Sequence, residues 1–379
     1  MRFRADRDSF ADAVAWTARA LPTRPSMPVL AGMRLETAAG SSALRLSSFD
    51  YEVSARAEVE VSVEDPGAVL VSGRLLGEIA RNLPDAPVEL HADGARVLVT
   101  CGSARFTLLT LPIEDYPALP AMPEVSGSLS ADSFAAAVRQ VGPAASRDDT
   151  LPMLTGVNLA FSGDALTLAA TDRYRIAVRE LWWKPQAAGL ETSALVPART
   201  LHEIARSLAG GTGIDLALSA AAGGAGGEGM IGFENNGRRT TTRLIDSDFV
   251  KYESRFPQES GARAKLATAP LIEAVKRVAL VADRNTPLRL SFSEGEVVLE
   301  AGSGDDAQAA ERLDAELSGD PIRVAFTPDY FLDGLGAVHS DSVHIDFTQP
   351  TKPVVLSDVP GDDAQPPEFR YLVMPLRVS

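Results

Sequence analysis

The residue types that could carry covalent or acid–base chemistry are few in this chain, and they are scattered. Cys101 is the single cysteine among 379 residues. It can form neither an intramolecular disulfide nor, alone, a zinc site. It lies in the alternating run Arg96–Thr107, where a thiol packs as a small apolar side chain. The four histidines, His91, His202, His339 and His344, show no metal-ligand spacing. No G-x-S-x-G nucleophile elbow occurs. The glycine-rich run Ala220–Gly229 lacks the Gly-Lys-Ser/Thr end of a phosphate-binding loop and follows the strand-like segment Ile214–Ser219, so it reads as a hairpin loop. The acid pairs Asp148-Asp149 and Asp362-Asp363 fall in loops, where carboxylates keep a surface soluble more often than they exchange protons. The expectation is a protein with no active site, no cofactor and no metal.

Positive charge is the remaining chemistry. Arg19, Arg24, Arg74, Arg81, Arg139, Arg147, Arg199 and Arg206 lie in or beside helical segments, joined later by Lys276, Arg277 and Arg284. Guanidinium groups on helices can meet phosphates without reading bases. Acids gather instead in strands and loops, as at Glu58, Glu60, Glu64 and Asp65, then Asp305, Asp306, Glu311 and Asp314. The division is incomplete, because Glu78, Glu203, Asp329 and Asp333 are also helical, and solvated helix faces are the plain alternative. The formal net charge of −15 opposes general affinity for nucleic acid, so any such role requires the arginines to share one surface. The recurrence of Arg74/Arg81 as Arg199/Arg206 favours a shared surface.

That recurrence is part of a threefold repeat. Ser9–Val14 (SFADAV) returns as Ser133–Val138 (SFAAAV), and Leu70–Leu83 (LVSGRLLGEIARNL) returns as Leu195–Leu208 (LVPARTLHEIARSL). A third, weaker copy runs through Leu271–Val275 and Phe326–Asp333. Units of about 120 residues are domains and not solenoid repeats, which gives expected domains at 1–122, 129–255 and 262–379. Pro117–Pro123 with Ser126-Gly127-Ser128 reads as an extended linker, and Arg255–Ala264 as a second, polar one. Within each unit a helix (Asp8–Ala20, Ala131–Val141, Ala269–Val281) precedes strands such as Ala43–Ser48 and Ala165–Ala170. A second helix (Arg74–Leu83, Arg199–Leu208, Pro328–Val338) precedes further strands such as Val88–His91 and Arg96–Thr100. The fold class expected is α+β, three repeated domains each with two helices packed on antiparallel sheet. Each repeat itself looks bipartite, helix-then-strands occurring twice.

Apolar residues make up 45% of the chain, typical of a globular protein, and no apolar stretch is long enough to span a bilayer. The opening Met-Arg-Phe-Arg-Ala-Asp has no apolar signal region. A cytoplasmic location without membrane association is the expectation.

Four motifs then stand in order: Arg24–Leu30 (RPSMPVL), Leu151–Gly156 (LPMLTG), Ala170–Val178 (ATDRYRIAV) and Tyr371–Arg377 (YLVMPLR). On the threefold repeat they resemble the bacterial DNA polymerase III beta subunit, the beta sliding clamp family, over essentially the full length. The resemblance implies the DNA-clamp fold and a head-to-tail homodimeric ring, lined by helices, that encircles double-stranded DNA irrespective of sequence and confers processivity on polymerase. It implies DNA polymerase III and other clamp-binding proteins as partners, and a separate clamp loader to open the ring. The arginines expected toward DNA are Arg24, Arg74, Arg81, Arg139, Arg147, Arg199 and Arg206.

The same resemblance implies a pocket for a short partner peptide, at Leu154, Thr155, Gly156, Thr171, Asp172, Arg173, Tyr174, Arg175, Ile176, Phe249, Val250, Ser254, Arg255, Tyr330, Pro353, Leu372, Val373, Met374, Pro375 and Leu376. For the dimer interface it implies Arg105, Phe106 and Leu108 against Leu280, Val281, Asp305, Asp306 and Glu311. Two positions depart from the family pattern. Phe249-Val250 stands where Phe-Pro is usual, and Arg255 where an aliphatic residue is usual, so a specialised second clamp with a remodelled pocket is a further expectation. The competing readings are an enzyme on a repeat scaffold, for which no site is visible, and a protein-binding adaptor that forms no ring.

Overall fold

A computed structural model describes residues 1–208, 213–219, 229–282, 287–302, 307–359 and 367–377. Arg284, Asp305, Asp306, Asp362-Asp363 and all but the last residue of the run Ala220–Gly229 lie outside the described residues. The helices are α1 (Arg7–Thr17), α2 (Gly73–Arg81), α3 (Ala131–Val141), α4 (Ala198–Leu208), α5 (Thr268–Val278) and α6 (Pro328–Ala337). The starts of α1 and α2 follow capping chemistry. The Asp6 carboxylate accepts from the Ser9 amide at 2.9 Å, and the Ser72 hydroxyl accepts from the Leu75 amide at 3.4 Å. α1 and α5 each run on into a short 3-10 turn, Ala18–Ala20 and Ala279–Val281. Among the described residues no helix is long and apolar enough to cross a membrane.

The chain forms two compact units. The first comprises Met1–Asp132 and Glu203–Leu244. Its antiparallel strands run in the order Val125–Leu129, Ile214–Leu218, Met230–Asn235, Arg238–Arg243, Val53–Asp65, Arg2–Ala5, Val88–Asp93, Arg96–Cys101 and Ala104–Leu109. The 13-residue strand Val53–Asp65 makes this continuity possible. Its first residues pair with Arg238–Thr242 and with Ala43–Phe49, and its last with Arg2–Ala5. α1 and α2 pack together over a core that includes Phe3, Phe10, Trp16, Leu44, Leu46, Leu76 and Val99. Cys101 is fully buried in that core, its thiol donating toward the carbonyls of Pro84 and Ala86 at 3.2 and 3.1 Å.

The second unit comprises Ser133–His202 and Ile245–Ser379. Its larger sheet is ordered Glu191–Pro197, Gly156–Ser162, Ala165–Thr171, Arg175–Trp182, Phe369–Val373, Val354–Asp358, Ser342–Phe347, Ala262–Ala267 and Glu316–Gly319. A separate sheet is ordered Ala309–Asp314, Glu296–Ala301, Leu288–Ser293 and Ile322–Phe326. α5 packs on α6 and on this second sheet, while α6 also packs on Phe369–Val373. Gly334 permits that last approach, since a Cβ there would stand 2.5 Å from the Tyr371 ring.

Two expected linkers are strands in part. Pro117–Glu124 has no regular structure, but Ser126-Gly127-Ser128 belongs to Val125–Leu129, which pairs with Ile214–Ala217. Ala262 and Ala264, expected in the second linker, sit in the strand Ala262–Ala267 between two partners. Small turn-forming residues read as loop by local preference, but ladder hydrogen bonds from neighbouring strands override that preference.

Candidate functional site

The motif Ala170–Val178 forms a tight turn between two strands. The Asp172 carboxylate accepts from the amides of Tyr174 and Arg175 at 3.0 and 3.1 Å, which closes the turn and leaves Arg173 left-handed at φ 82°. Thr171 braces it, its hydroxyl donating to the Arg175 carbonyl at 2.6 Å and accepting from the Arg173 amide at 3.2 Å. The first repeat builds the same turn. Asp50 accepts from the amides of Glu52 and Val53 at 3.0 and 2.7 Å, and Tyr51 is left-handed at φ 75°.

What differs is the residue the second turn delivers. Arg175 stands where Val53 stands in the first repeat, and it is 7% exposed. A guanidinium at that depth needs its donors satisfied. Nε donates to Asp172 at 2.9 Å, and Nη1 donates to Asp333 of α6 at 2.5 Å and to the Tyr371 hydroxyl at 3.3 Å. The guanidinium carbon lies 4.4 Å from the centroid of the Tyr330 ring, and Tyr330 stacks on Tyr174 with centroids 6.1 Å apart at 24°. Tyr371 in turn donates to the Tyr330 carbonyl at 2.8 Å. Burial alone would lower the Arg175 pKa, but Tyr371, Asp333 and Asp172 outweigh it and hold the pKa above its ordinary value. Burial pushes the Tyr371 phenol well up despite the nearby guanidinium, and raises Tyr330 with help from Asp172.

Around this knot the expected pocket residues sort by depth. Ile176 and Leu372 face each other across paired strands and pack with Ala169, Val178, Val355 and Tyr252, with Phe249 partly buried against them. Leu154, Gly156, Thr171 and Val373 are also buried. A Cβ on Gly156 would meet Leu195 and Ile245 at 2.7 and 2.9 Å. Thr155 donates its hydroxyl to the Pro152 carbonyl at 2.8 Å. Pro353 and Pro375 are half-buried. Tyr174 (59% exposed), Leu376 (41%), Met374 (37%) and Val250 (36%) keep apolar surface in solvent. The Met374 amide donates to the Tyr174 carbonyl at 2.8 Å, and the Leu376 amide to the Ala325 carbonyl at 2.7 Å, so the terminal segment is tied beside the turn. Ser254 and Arg255 are exposed on a 3-10 turn, Glu253–Arg255. Arg255 points to water, and the neighbours Tyr252 and Phe256 supply the ring contacts there, 6.5 Å apart. Sequence reasoning did not single out Tyr371, Asp333 or Tyr252 as site residues. A buried arginine does demand carboxylate and phenol partners, but only the fold reveals that Arg175 is buried.

The arginines expected toward DNA are all exposed. Arg74 and Arg81 lie on α2, Arg139 on α3, and Arg199 and Arg206 on α4, whereas Arg24 and Arg147 lie in loops. Arg81 also turns back to its own helix, Nε donating to the Gly77 carbonyl at 3.2 Å.

Of the residues expected at a dimer interface, Arg105, Phe106 and Leu108 lie on Ala104–Leu109, the end strand of its sheet. Arg105 is exposed, Phe106 packs partly on the core, and Leu108 is 2% exposed inside that core. The alternation hands the outward apolar position to Leu109, 70% exposed. Leu280 is 84% exposed beside a half-buried Val281, and Glu311 lies on Ala309–Asp314, also an end strand.

Residues 1–120, 128–251 and 253–377 match, respectively, the N-terminal, central and C-terminal domains of the DNA polymerase III beta subunit family. The chain is 57% identical over 380 residues to the beta sliding clamp of Streptomyces coelicolor, covering 100% of both chains. It is 43% identical over 379 residues to the beta sliding clamp homolog GriR of Streptomyces muensis, covering 100% of this chain and 99% of that one. The crystal structure of the DNA polymerase sliding clamp from Bacillus subtilis superposes with a TM-score of 0.90 at 23% identity, covering 100% of both chains. The fold is thus the three-domain α+β clamp fold, and the chain belongs to the DNA polymerase III beta subunit family, the beta sliding clamps.

Proposed function

We propose that the chain pairs head to tail with a second copy to close a ring around duplex DNA, and that partner proteins dock a short apolar peptide on the patch around Tyr174. The family acts as a processivity factor and not as a catalyst. A ring that holds DNA by topology needs only weak phosphate contacts, which suits exposed, isolated helix arginines and a net charge of −15. The observation that carries the ring is the pair of sheet ends: Ala104–Leu109 in the first repeat, bearing exposed Leu109, and Ala309–Asp314 in the third, near exposed Leu280. Strand ends that expose both backbone hydrogen-bonding groups and a large leucine are suited to pairing across subunits. The domain limits proposed for the three repeats of such a ring are 1–122, 129–255 and 262–379. The proposed interface joins Arg105, Phe106 and Leu108, with the exposed Leu109 beside them, to Leu280, Val281 and Glu311. DNA polymerase III, other clamp-binding proteins and a clamp loader are the proposed partners, in the cytoplasm.

For the peptide site, the support is exposed apolar surface on Tyr174, Met374, Leu376 and Val250 above a buried apolar floor. A second reading, a specialised clamp with altered partner preference, rests on Val250 and Arg255. Native mass spectrometry tests the ring, which requires a dimer at twice 40.1 kDa. Retention on nicked circular but not linear duplex tests encirclement. A monomer that binds partner peptides would instead favour an adaptor.

A further inference from the structure

We infer that Arg175 is a positioning residue for the peptide site, acting through Asp333 and Tyr371 to hold Tyr330 and Tyr174 as a fixed aromatic shelf. The inference rests on the reading that a peptide docks at Tyr174.

A 7% exposed guanidinium has little surface to offer a ligand. Its contacts are inward and come from three elements. The turn supplies Asp172, α6 supplies Asp333 and Tyr330, and the strand Phe369–Val373 supplies Tyr371. These bonds form a closed circuit, because Tyr371 touches Arg175 and also donates to the Tyr330 carbonyl. The Tyr330 ring therefore has Arg175 4.4 Å from its centroid and Tyr174 stacked on it at 24°. Tyr174, 59% exposed, would swing freely on an isolated turn, and the stack gives it one orientation. The Met374 amide bonds the Tyr174 carbonyl, so the apolar terminal segment is indexed to the same shelf. A prearranged apolar surface binds more tightly because less freedom is lost on docking. Asp333 is the informative handle. Its side chain is 42% exposed and it bonds Arg175 from α6, and it belongs to none of the apolar surface a peptide would touch.

The test uses the full-length protein and an N-acetylated pentapeptide carrying two leucines and a phenylalanine, titrated calorimetrically. Asp333→Asn and Arg175→Lys should each weaken binding at least tenfold. The double variant should be no weaker than the worse single, because both break one circuit. Asp333→Glu, which keeps the carboxylate, should recover most of the affinity. In parallel, 3-fluorotyrosine placed at Tyr330 reports the shelf by fluorine NMR, and Asp333→Asn should shift or broaden that resonance without lowering the melting temperature by more than a few degrees. Wild-type binding left unchanged by both single variants, with an unmoved fluorine signal, overturns the inference. A wild type that ignores the peptide while the fluorine signal still responds to Asp333→Asn overturns the docking reading and leaves the shelf standing.

Discussion

Arg277 of α5 grips Glu311 with two bonds, Nε to Oε2 at 3.0 Å and Nη2 to Oε1 at 2.5 Å. The end strand Ala309–Asp314 is thereby fastened to its own helix, and the Glu311 carboxyl is held below its usual pKa range by that guanidinium. An acid expected to offer its charge to a second subunit is already engaged within its own. In the proposed ring Glu311 would reach the interface already paired, and the apolar contact at this end would come from Leu280, 84% exposed just after α5.

Leu280→Asp should therefore yield a folded monomer. Burying one leucine across an interface is worth roughly 1.5–3 kcal/mol, and desolvating a carboxylate in its place adds to the loss. Sedimentation velocity at micromolar protein should show the dimer boundary replaced by a 40.1 kDa species. A variant that sediments as wild type would place the interface elsewhere.

The DNA contact should be weak, additive and blind to sequence. Arg24 and Arg199 are exposed on a loop and on α4. Reversing both to glutamate should shorten retention on nicked circles about tenfold at low salt, with the gap narrowing as salt rises. A preference above about tenfold for one duplex sequence, about 1.4 kcal/mol, requires base-edge contacts and would refute phosphate-only contact.

Alkaline stability should trace to buried phenols. Burial of Tyr116 pushes its pKa from 10.0 to about 12. The folded state holds this proton more tightly than the unfolded chain. Its stabilising share is complete below pH 10 and drains as pH rises toward 12, at up to about 1.4 kcal/mol per pH unit. Tyr116→Phe should lose that share of the slope while changing stability at pH 7 by no more than about 1 kcal/mol. Urea unfolding at pH 7, 10 and 11 measures both. Parallel curves for the two proteins across this range would show that Tyr116 ionises freely.

Much of this architecture is legible in the sequence, for reasons that can be stated residue by residue. The repeated helices were readable because apolar stripes such as Leu76, Ile79, Ala80 and Leu83 fall at helical spacing and are buried as that spacing demands. The segment Ala170–Val178 stands out in the sequence as a motif, but that Asp172 closes a turn there is seen only in the fold. Long-range pairings were not readable. Nothing local in Arg238–Arg243 announces a partner at Val53–Ala57, nor in Phe369–Val373 a partner at Arg175–Arg179. Those pairings give the middle repeat's strands to different compact units, so sequence periods and compact units do not coincide. Among the site residues, the end strand turns Leu108 to the core and Leu109 to solvent, an alternation set by the neighbouring strands and not by anything local in the sequence.

The peptide site carries the last prediction. Within this chain Asp115-Tyr116-Pro117 of the first repeat corresponds to Asp248-Phe249-Val250 of the second, so proline occupies the matching position in one copy and valine in the other. Proline would fix φ and stiffen the segment after Phe249, whereas Val250, 36% exposed, leaves it free to adjust. Five residues on, Arg255 holds its guanidinium in water, so it lends hydrated charge to the surroundings and no apolar area. Replacing an aliphatic contact in this way forfeits on the order of one side chain, roughly 1.5–3 kcal/mol. Val250→Pro with Arg255→Leu should accordingly bind an apolar peptide ten- to a hundredfold more tightly than the wild type. The gain should persist at high salt, since it comes from buried area and not from charge. Calorimetric titration of one peptide against both proteins, at two salt concentrations, measures it. Equal dissociation constants would mean that Arg255 stands clear of the bound peptide on its own stem, and that partner preference is decided at Tyr174 and Met374 alone.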